Sequence, residues 1–326
     1  MSKTAYLFPG QGSQEAGMGH ALYEQFDEAR ARLDHADEVL GFALTEIMFG
    51  EGEEAEDALK QTEVTQPALY AHSLAAMAVL EAQGHAPPDM TAGHSLGEYS
   101  ALAAAGAVAF EDGLRVVRRR GELMAATDEG ERGEGGERPG AMAAIIGMEA
   151  EALEAVCEDV TREEGGSDAT RRVVQPANYN APGQIVISGD AEAVEAAATL
   201  CEERGARRAI SLPVSGAFHS PLMRGARDGL AEELSELEIS EPRCPVYLNV
   251  TAEATTEPEA LRAALLEQLL SPVRWAPSLE AMHAAGATRF VEVGADRVLS
   301  GLARRTLGRG VEITQAGTAE DLDALG

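Results

Sequence analysis

The stretch TAGHSLGEYSALAAAGA, residues 91–107, decides how the rest of the chain is read. Gly93-His94-Ser95-Leu96-Gly97 fits the pattern G-x-S-x-G, with a short apolar run before it and an Ala- and Leu-rich helical pattern after it. Strand, tight turn and helix are the setting in which a serine nucleophile is presented at the end of a parallel sheet. Glycines on either side avoid clashes in the turn. The helix N-terminus favours a developing anion, and the Leu96 N–H is placed to donate to it. The five-residue pattern also occurs by chance, so a purely structural turn stands as the alternative.

Outward from this stretch, strand and helix patterns alternate, which predicts an α/β fold with a largely parallel sheet. TAYLF (4–8), DMTAG (89–93), CPVYLNV (244–250) and TRFVEVG (288–294) read as strands, and 61–83 and 221–238 as helices. TDEGERGEGGERPG (127–140) reads as a flexible connection because it is rich in glycine and charge. After it, AMAAIIG, EAEALEAVCEDV, RRVVQPAN, QIVISG, AEAVEAAATLCEER and ARRAISL spell strand-helix-strand-strand-helix-strand, the ferredoxin-like order. TREEGGSDAT (161–170) reads as an exposed loop within that part. The expected organisation is a catalytic domain from 1–127 and 213–326 with a small domain, 138–212, inserted into it. The cleft between the two is the expected ligand site.

Composition narrows the class. The 326 residues are 45% hydrophobic, enough for a sizeable core. No apolar run reaches the roughly 18 residues of a membrane span, and the N-terminus MSKTAYLFPG does not read as a signal peptide, so a cytoplasmic protein is expected. Cys157, Cys201 and Cys244 lie far apart and read as buried free thiols, and the histidines show no metal-binding spacing. The formal charge of −29 argues against nucleic acid as a partner. Only Lys3 and Lys60 are lysines; every other cation is arginine.

A serine nucleophile needs a base. Among the seven histidines, His219 leads because LPVSGAFHSPLM (212–223) reads as a loop between a strand and a helix, where catalytic groups tend to sit. LFPGQGSQ (7–14) follows the first strand with a glycine-rich turn. It is either a simple connection or a source of backbone N–H groups lining the same pocket. RVVRRRGELM (115–124) places three arginines in a row. At about 100° per residue, Arg115, Arg118 and Arg119 fall on the polar side of a helix, whereas Arg120 falls within the apolar arc of Val116, Val117, Gly121, Leu123 and Met124. An inward arginine needs an anion. Periodicity leaves two readings open: a structural ion pair, or a clamp for a substrate carboxylate.

FPGQGSQ, GHSLGEYSALAAAGA, RRRGELM, NYNAPGQIVISG, PVSGAFHSPLM, QLLSPVRW and VEVG occur in this order, and with them the chain resembles the malonyl-CoA:acyl-carrier-protein transacylases from about residue 3 to 308. The resemblance implies an α/β-hydrolase-like domain with an inserted ferredoxin-like domain, and malonyl transfer from malonyl-CoA to the phosphopantetheine thiol of an acyl carrier protein, by a ping-pong route through a malonyl-serine. It implies Ser95 as nucleophile, His219 as base, Arg120 as ligand of the malonyl carboxylate, and the Gln11 and Leu96 N–H groups as the oxyanion hole. Gln268 matches the position whose main-chain carbonyl orients the histidine, and Phe218 the bulky residue of malonyl-selective sites. No bound cofactor or metal is implied. The carrier is a transient partner, the chain is expected to be a monomer, and a lone chain of this length points to a dissociated fatty acid system. Arg115, Arg118, Arg119, Arg304 and Arg305 are candidates for a carrier-docking patch. Two features depart from the family: Gly294-Ala295-Asp296 replaces the usual Gly-Pro-Gly, and the segments at 127–140 and 161–170 are longer and more acidic than usual. A serine hydrolase built on the same elbow and a non-catalytic carrier-binding module are the rival readings.

An acidic, lysine-poor surface suits concentrated salt, which screens self-repulsion over a few ångströms. The expected outcome of a denaturant unfolding series in KCl is a stability that rises from low to molar salt; indifference to salt counts against a salt-accumulating host.

Overall fold

The computed structural model describes residues 2–130, 139–163, 172–214 and 216–325. Among the described residues ten strands run in chain order: β1 (Lys3–Phe8), β2 (Met90–Gly93), β3 (Gly140–Ile146), β4 (Val174–Ala181), β5 (Gln184–Asp190), β6 (Arg208–Ser211), β7 (Val246–Tyr247), β8 (Ala254–Thr255), β9 (Ala287–Glu292) and β10 (Glu312–Gln315). They form a six-stranded sheet of order β10-β9-β1-β2-β7-β8 and a four-stranded sheet of order β4-β5-β3-β6. The first is parallel except for the β7–β8 pair, and the second is antiparallel throughout. This is the mixed α/β architecture expected from the alternation of patterns.

Strand β1 lies near the middle of the large sheet, with Ala5, Tyr6, Leu7 and Phe8 all buried. A parallel strand covered on both faces needs such a continuous apolar run. Successive side chains point to opposite faces. Tyr6 and Phe8 join the core under the long helices, and Ala5 and Leu7 join a second core with Trp275, Leu279 and Phe290. The small sheet has a core of its own, formed by Ile145, Ile185 and Ile187 against Leu153 and Val156 of helix Ala150–Glu163 and Val194 and Ala197 of helix Ala191–Glu203.

Three expectations are altered. CPVYLNV supplies only the two residues of β7, because the chain leaves the sheet at Asn249, whose N–H bonds the Glu98 carboxylate at 3.2 Å instead of a neighbouring strand. The connection expected to begin at residue 127 begins later, since the helix Phe110–Gly130 runs through it; residues 131–138 of that stretch lie outside the described residues. The loop at 161–170 opens with the last turn of helix Ala150–Glu163, and its residues 164–170 likewise lie outside the described residues.

Two contacts place the functional groups. Helix Phe110–Gly130 packs along helix Thr62–Ala82, which is buried on nearly all sides. Strand β4 is tied to the large part of the molecule: Tyr179 N donates to Val273 O and Val273 N to Ala177 O, both at 2.8 Å. The first packing depends on Gly121, where an added Cβ would lie 2.8 Å from both Glu63 Cα and Thr62 O. Because those atoms are backbone, they cannot rotate away. Gly121→Val is expected to destabilise the protein by about 2–3 kcal/mol through overpacking, read as a lower urea midpoint at unchanged slope.

Candidate active site

The elbow is built by close backbone contact. An added Cβ on Gly93 would sit 1.8 Å from Gly97 O, and one on Gly97 would sit 2.1 Å from Phe8 O, so neither position admits a side chain. Between them Ser95 adopts the left-handed conformation, with φ 52°. That conformation is uncommon outside glycine and persists only where the surroundings enforce it. Here Asn249 enforces it: its Oδ1 accepts from Ser95 N at 2.7 Å, and its Nδ2 donates to Gly93 O at 2.6 Å.

His219 reaches the serine from the loop after β6. It too has a positive φ, 58°, and Ser220 behind it starts a short helical turn by accepting from Leu222 N. Gln175 of β4 steadies the loop, its Nε2 donating to His219 O at 2.8 Å. The imidazole Nδ1 lies 2.9 Å from the main-chain carbonyl of Gln268, and Nε2 lies 2.8 Å from Ser95 Oγ. A carbonyl only accepts, so Nδ1 carries the proton and Nε2 is free to take one from the serine. Burial, then the neighbouring Arg120 cation, press the His219 pKa down to about 3, against a smaller opposing effect of the Gln268 carbonyl. The ring is therefore neutral at every physiological pH.

Arg120 is 1% exposed, on the inward face of helix Phe110–Gly130. Its Nη1 donates to Gln66 Oε1 at 2.8 Å, and its Nη2 to Gln268 Oε1 at 3.0 Å and to Ser95 Oγ at 3.1 Å. Among the described residues no carboxylate forms an ion pair with it. By contrast Arg115 pairs with Asp112, Arg118 with Glu122, and Arg119 with Glu122 and Glu233 on the surface.

Gln11 and Leu96 line the same cavity as Ser95, and neither backbone N–H has an acceptor among the described residues. The cavity measures about 110 Å³ and is completed by Met124, Met142 and Phe218. It adjoins an outer cleft of about 470 Å³ that shares Gln11, Met124 and Phe218 and reaches Lys60 and Thr62. The arrangement can deprotonate a serine, hold an oxyanion and receive a carboxylate beside the attacked carbon. No cluster of His, Cys, Asp and Glu suited to a metal occurs among the described residues.

The structure brings Ser95, His219, Arg120, Gln11, Leu96, Gln268 and Phe218 to one place. It adds Gln66, Asn249 and Glu98, which sequence reasoning did not single out. Glu98 is fully buried, and burial raises its pKa to about 7 against the opposing hydrogen bonds from Gln268 and Asn249. The available signal was the one charged residue of the elbow helix Gly97–Ala104. Because His219 stays neutral, modification of Ser95 by a small neutral sulfonyl fluoride is expected to keep a level rate from pH 8 to about 5. A fall centred near the ordinary histidine pKa of about 6.5 would contradict the depressed value.

Residues 5–321 match the acyl transferase domain family. The malonyl CoA-acyl carrier protein transacylase of Bacillus subtilis (strain 168) is 50% identical over 307 residues, spanning 94% of this chain and 90% of the relative. The crystal structure of an acyl carrier protein S-malonyltransferase from Vibrio cholerae O1 biovar eltor superposes with a TM-score of 0.90 at 42% identity, over the whole of both chains. A structure of a type II polyketide synthase acyl carrier protein in complex with its malonyl-transacylase gives a TM-score of 0.90 at 38% identity, over 99% of this chain and 98% of that one. The chain therefore belongs to the malonyl CoA-acyl carrier protein transacylase family of acyltransferases.

Proposed function

We propose that the protein transfers the malonyl group from malonyl-CoA to the phosphopantetheine thiol of an acyl carrier protein through a malonyl-Ser95 intermediate. One observation carries the reading: a buried guanidinium with no carboxylate partner among the described residues reaches the oxygen of the nucleophile itself, at 3.1 Å. A carboxylate bound there must hang close to the carbonyl that Ser95 attacks. Malonyl meets this demand, since its two carboxyl carbons are separated by one methylene, roughly 2.5 Å end to end.

In the first half-reaction His219 Nε2 takes the proton of Ser95 as Oγ adds to the thioester carbonyl. The oxyanion is held by the Gln11 and Leu96 N–H groups, each worth about 3 kcal/mol in such a site. Collapse breaks the carbon–sulfur bond, and the coenzyme A thiolate takes the proton back from His219. In the second half-reaction the carrier thiol gives its proton to His219, attacks the malonyl ester, and Ser95 leaves reprotonated. The Gln268 carbonyl serves the imidazolium in place of a triad carboxylate. Substrate assists the base as well: a carboxylate on Arg120 offsets the cation that lowers the His219 pKa. Phe218 crowds the cavity against a 2-methyl branch.

The carrier as partner is supported by the structural neighbour captured with its own acyl carrier protein. We further read residues 138–212 as a small domain inserted between 1–127 and 213–326, a division supported by the separate sheet and core. A hydrolase reading leaves Arg120 without a task for a neutral ester.

Intact-mass analysis after incubation with malonyl-CoA is expected to add one malonyl group, lost in Ser95→Ala; no adduct would exclude the serine intermediate. Arg120→Ala is expected to lose malonyl transfer by about 10²- to 10⁴-fold, since breaking a buried ion pair costs about 3–5 kcal/mol, while acetyl transfer is kept or gained. Equal loss with both donors would remove the clamp assignment, and rapid release of free malonate without acceptor thiol would favour hydrolysis.

A further inference from the structure

We infer that Glu98 is a positioning residue: its two carboxylate oxygens fix which way the Gln268 amide faces, and that orientation gives Arg120 an oxygen beside Ser95. The inference rests on the reading above, that Arg120 receives the malonyl carboxylate.

The hydrogen-bond pattern around Glu98 leaves little freedom. Its Oε1 accepts from Asn249 N, and its Oε2 accepts a short hydrogen bond from Gln268 Nε2. Both neighbours are donors, and an ionised carboxylate is the side chain that offers acceptors alone on both oxygens. Gln268 Nε2 also donates to Ser95 O at 3.0 Å, which leaves Oε1 pointing at Arg120 Nη2, 3.0 Å away. Turning the amide over would set an NH2 group against the guanidinium. Glu98 therefore settles the polarity of a hydrogen-bond chain that ends on the cation. Its charge also stands one residue from Arg120, where it offsets a buried cation that has no direct ion pair. The charged and titratable groups facing Glu98 among the described residues are Arg120, from the neighbouring helix, and Tyr99, beside it on the elbow helix.

A neutral group at position 98 cannot reproduce the pattern. Glutamine places an NH2 against either the Asn249 N–H, which is backbone and fixed, or the Gln268 amide, which escapes by turning over. A protonated Glu98 carries one O–H and meets the same conflict. The main-chain carbonyl of Gln268, which orients His219, is not moved by a turn of the side-chain amide. Loss of the Glu98 charge should thus disable carboxylate reception and spare the serine–histidine pair. The sign of the pH effect follows: the working state is the ionised one, present above the Glu98 pKa of about 7 and lost as pH falls through it.

The experiment compares wild type and Glu98→Gln in two reactions of Ser95, malonylation by malonyl-CoA and modification by the neutral sulfonyl fluoride, each by timed intact-mass analysis from pH 5.5 to 8.5. In Glu98→Gln malonylation is expected to slow on the order of 10²-fold, the scale of a misplaced binding group, with no acid limb, while sulfonylation changes by less than about threefold. Malonylation like that of wild type, or an equal loss in both reactions, would overturn the inference. Should the variant fail to fold, the wild type decides: an acid limb near pH 7 in malonylation and not in sulfonylation supports the role of Glu98, and parallel profiles refute it. A wild type that takes no malonyl group at all defeats the functional reading above, a separate outcome.

Discussion

A guanidinium is buried beside a serine with no carboxylate among the described residues in direct ion pair with it, and the centre of this protein is organised to make that tolerable. An unpaired buried cation is among the costlier things a fold can contain. Arg120 is surrounded by oxygen atoms supplied from three directions: Gln66 from the long buried helix, Gln268 from the end of helix Pro258–Gln268, and Ser95 from the elbow. Amide and hydroxyl oxygens solvate the charge without cancelling it. A site that solvates a cation but gives it no direct ion pair is a receptor for an anion, and the small cavity beside it sets where that anion must sit.

The same residues serve more than one demand. Gln268 meets His219 with its main-chain carbonyl and Arg120 with its side chain, so base and cation are located by one residue. Asn249 holds the serine in a left-handed conformation that its own backbone preference disfavours. Arg120 in turn lowers the proton affinity of His219, which keeps the imidazole an acceptor toward Ser95. The four-stranded sheet contributes through β4, whose Gln175 supports the His219 loop and whose Asn180 Oδ1 accepts from His94 Nε2 at 2.8 Å. Motion of one of these groups is therefore felt by the others.

The surface follows a different logic. The chain carries a net charge of −29, yet Arg115, Arg118 and Arg119 on helix Phe110–Gly130 sit in pairs with acids of the same or a neighbouring helix. Exposed pairs of this kind add little stability each. They do lower the local positive charge of this face, so these three arginines form a weaker cationic patch than a count of cations in the sequence suggests.

Much of this was legible before the fold was known. Alternating patterns announced an α/β chain, the order of strands and helices between 140 and 211 matches the second sheet, and helical phase turned Arg120 inward while leaving its neighbours outside. Local sequence carries such information because periodicity and turn chemistry act over a few residues. It did not mark Asn249, Gln66 or Glu98, nor the early end of the strand at Tyr247. Their partners lie far away in the chain, Asn249 with Ser95 and Glu98, Gln66 with Arg120, and Gln268 with Ser95, Glu98, Arg120 and His219. What the sequence by itself determined was which faces are buried and where a serine turn would form. Only the tertiary structure decided which buried polar groups meet, because hydrogen bonds between distant residues depend on ångström-scale placement that no local pattern encodes.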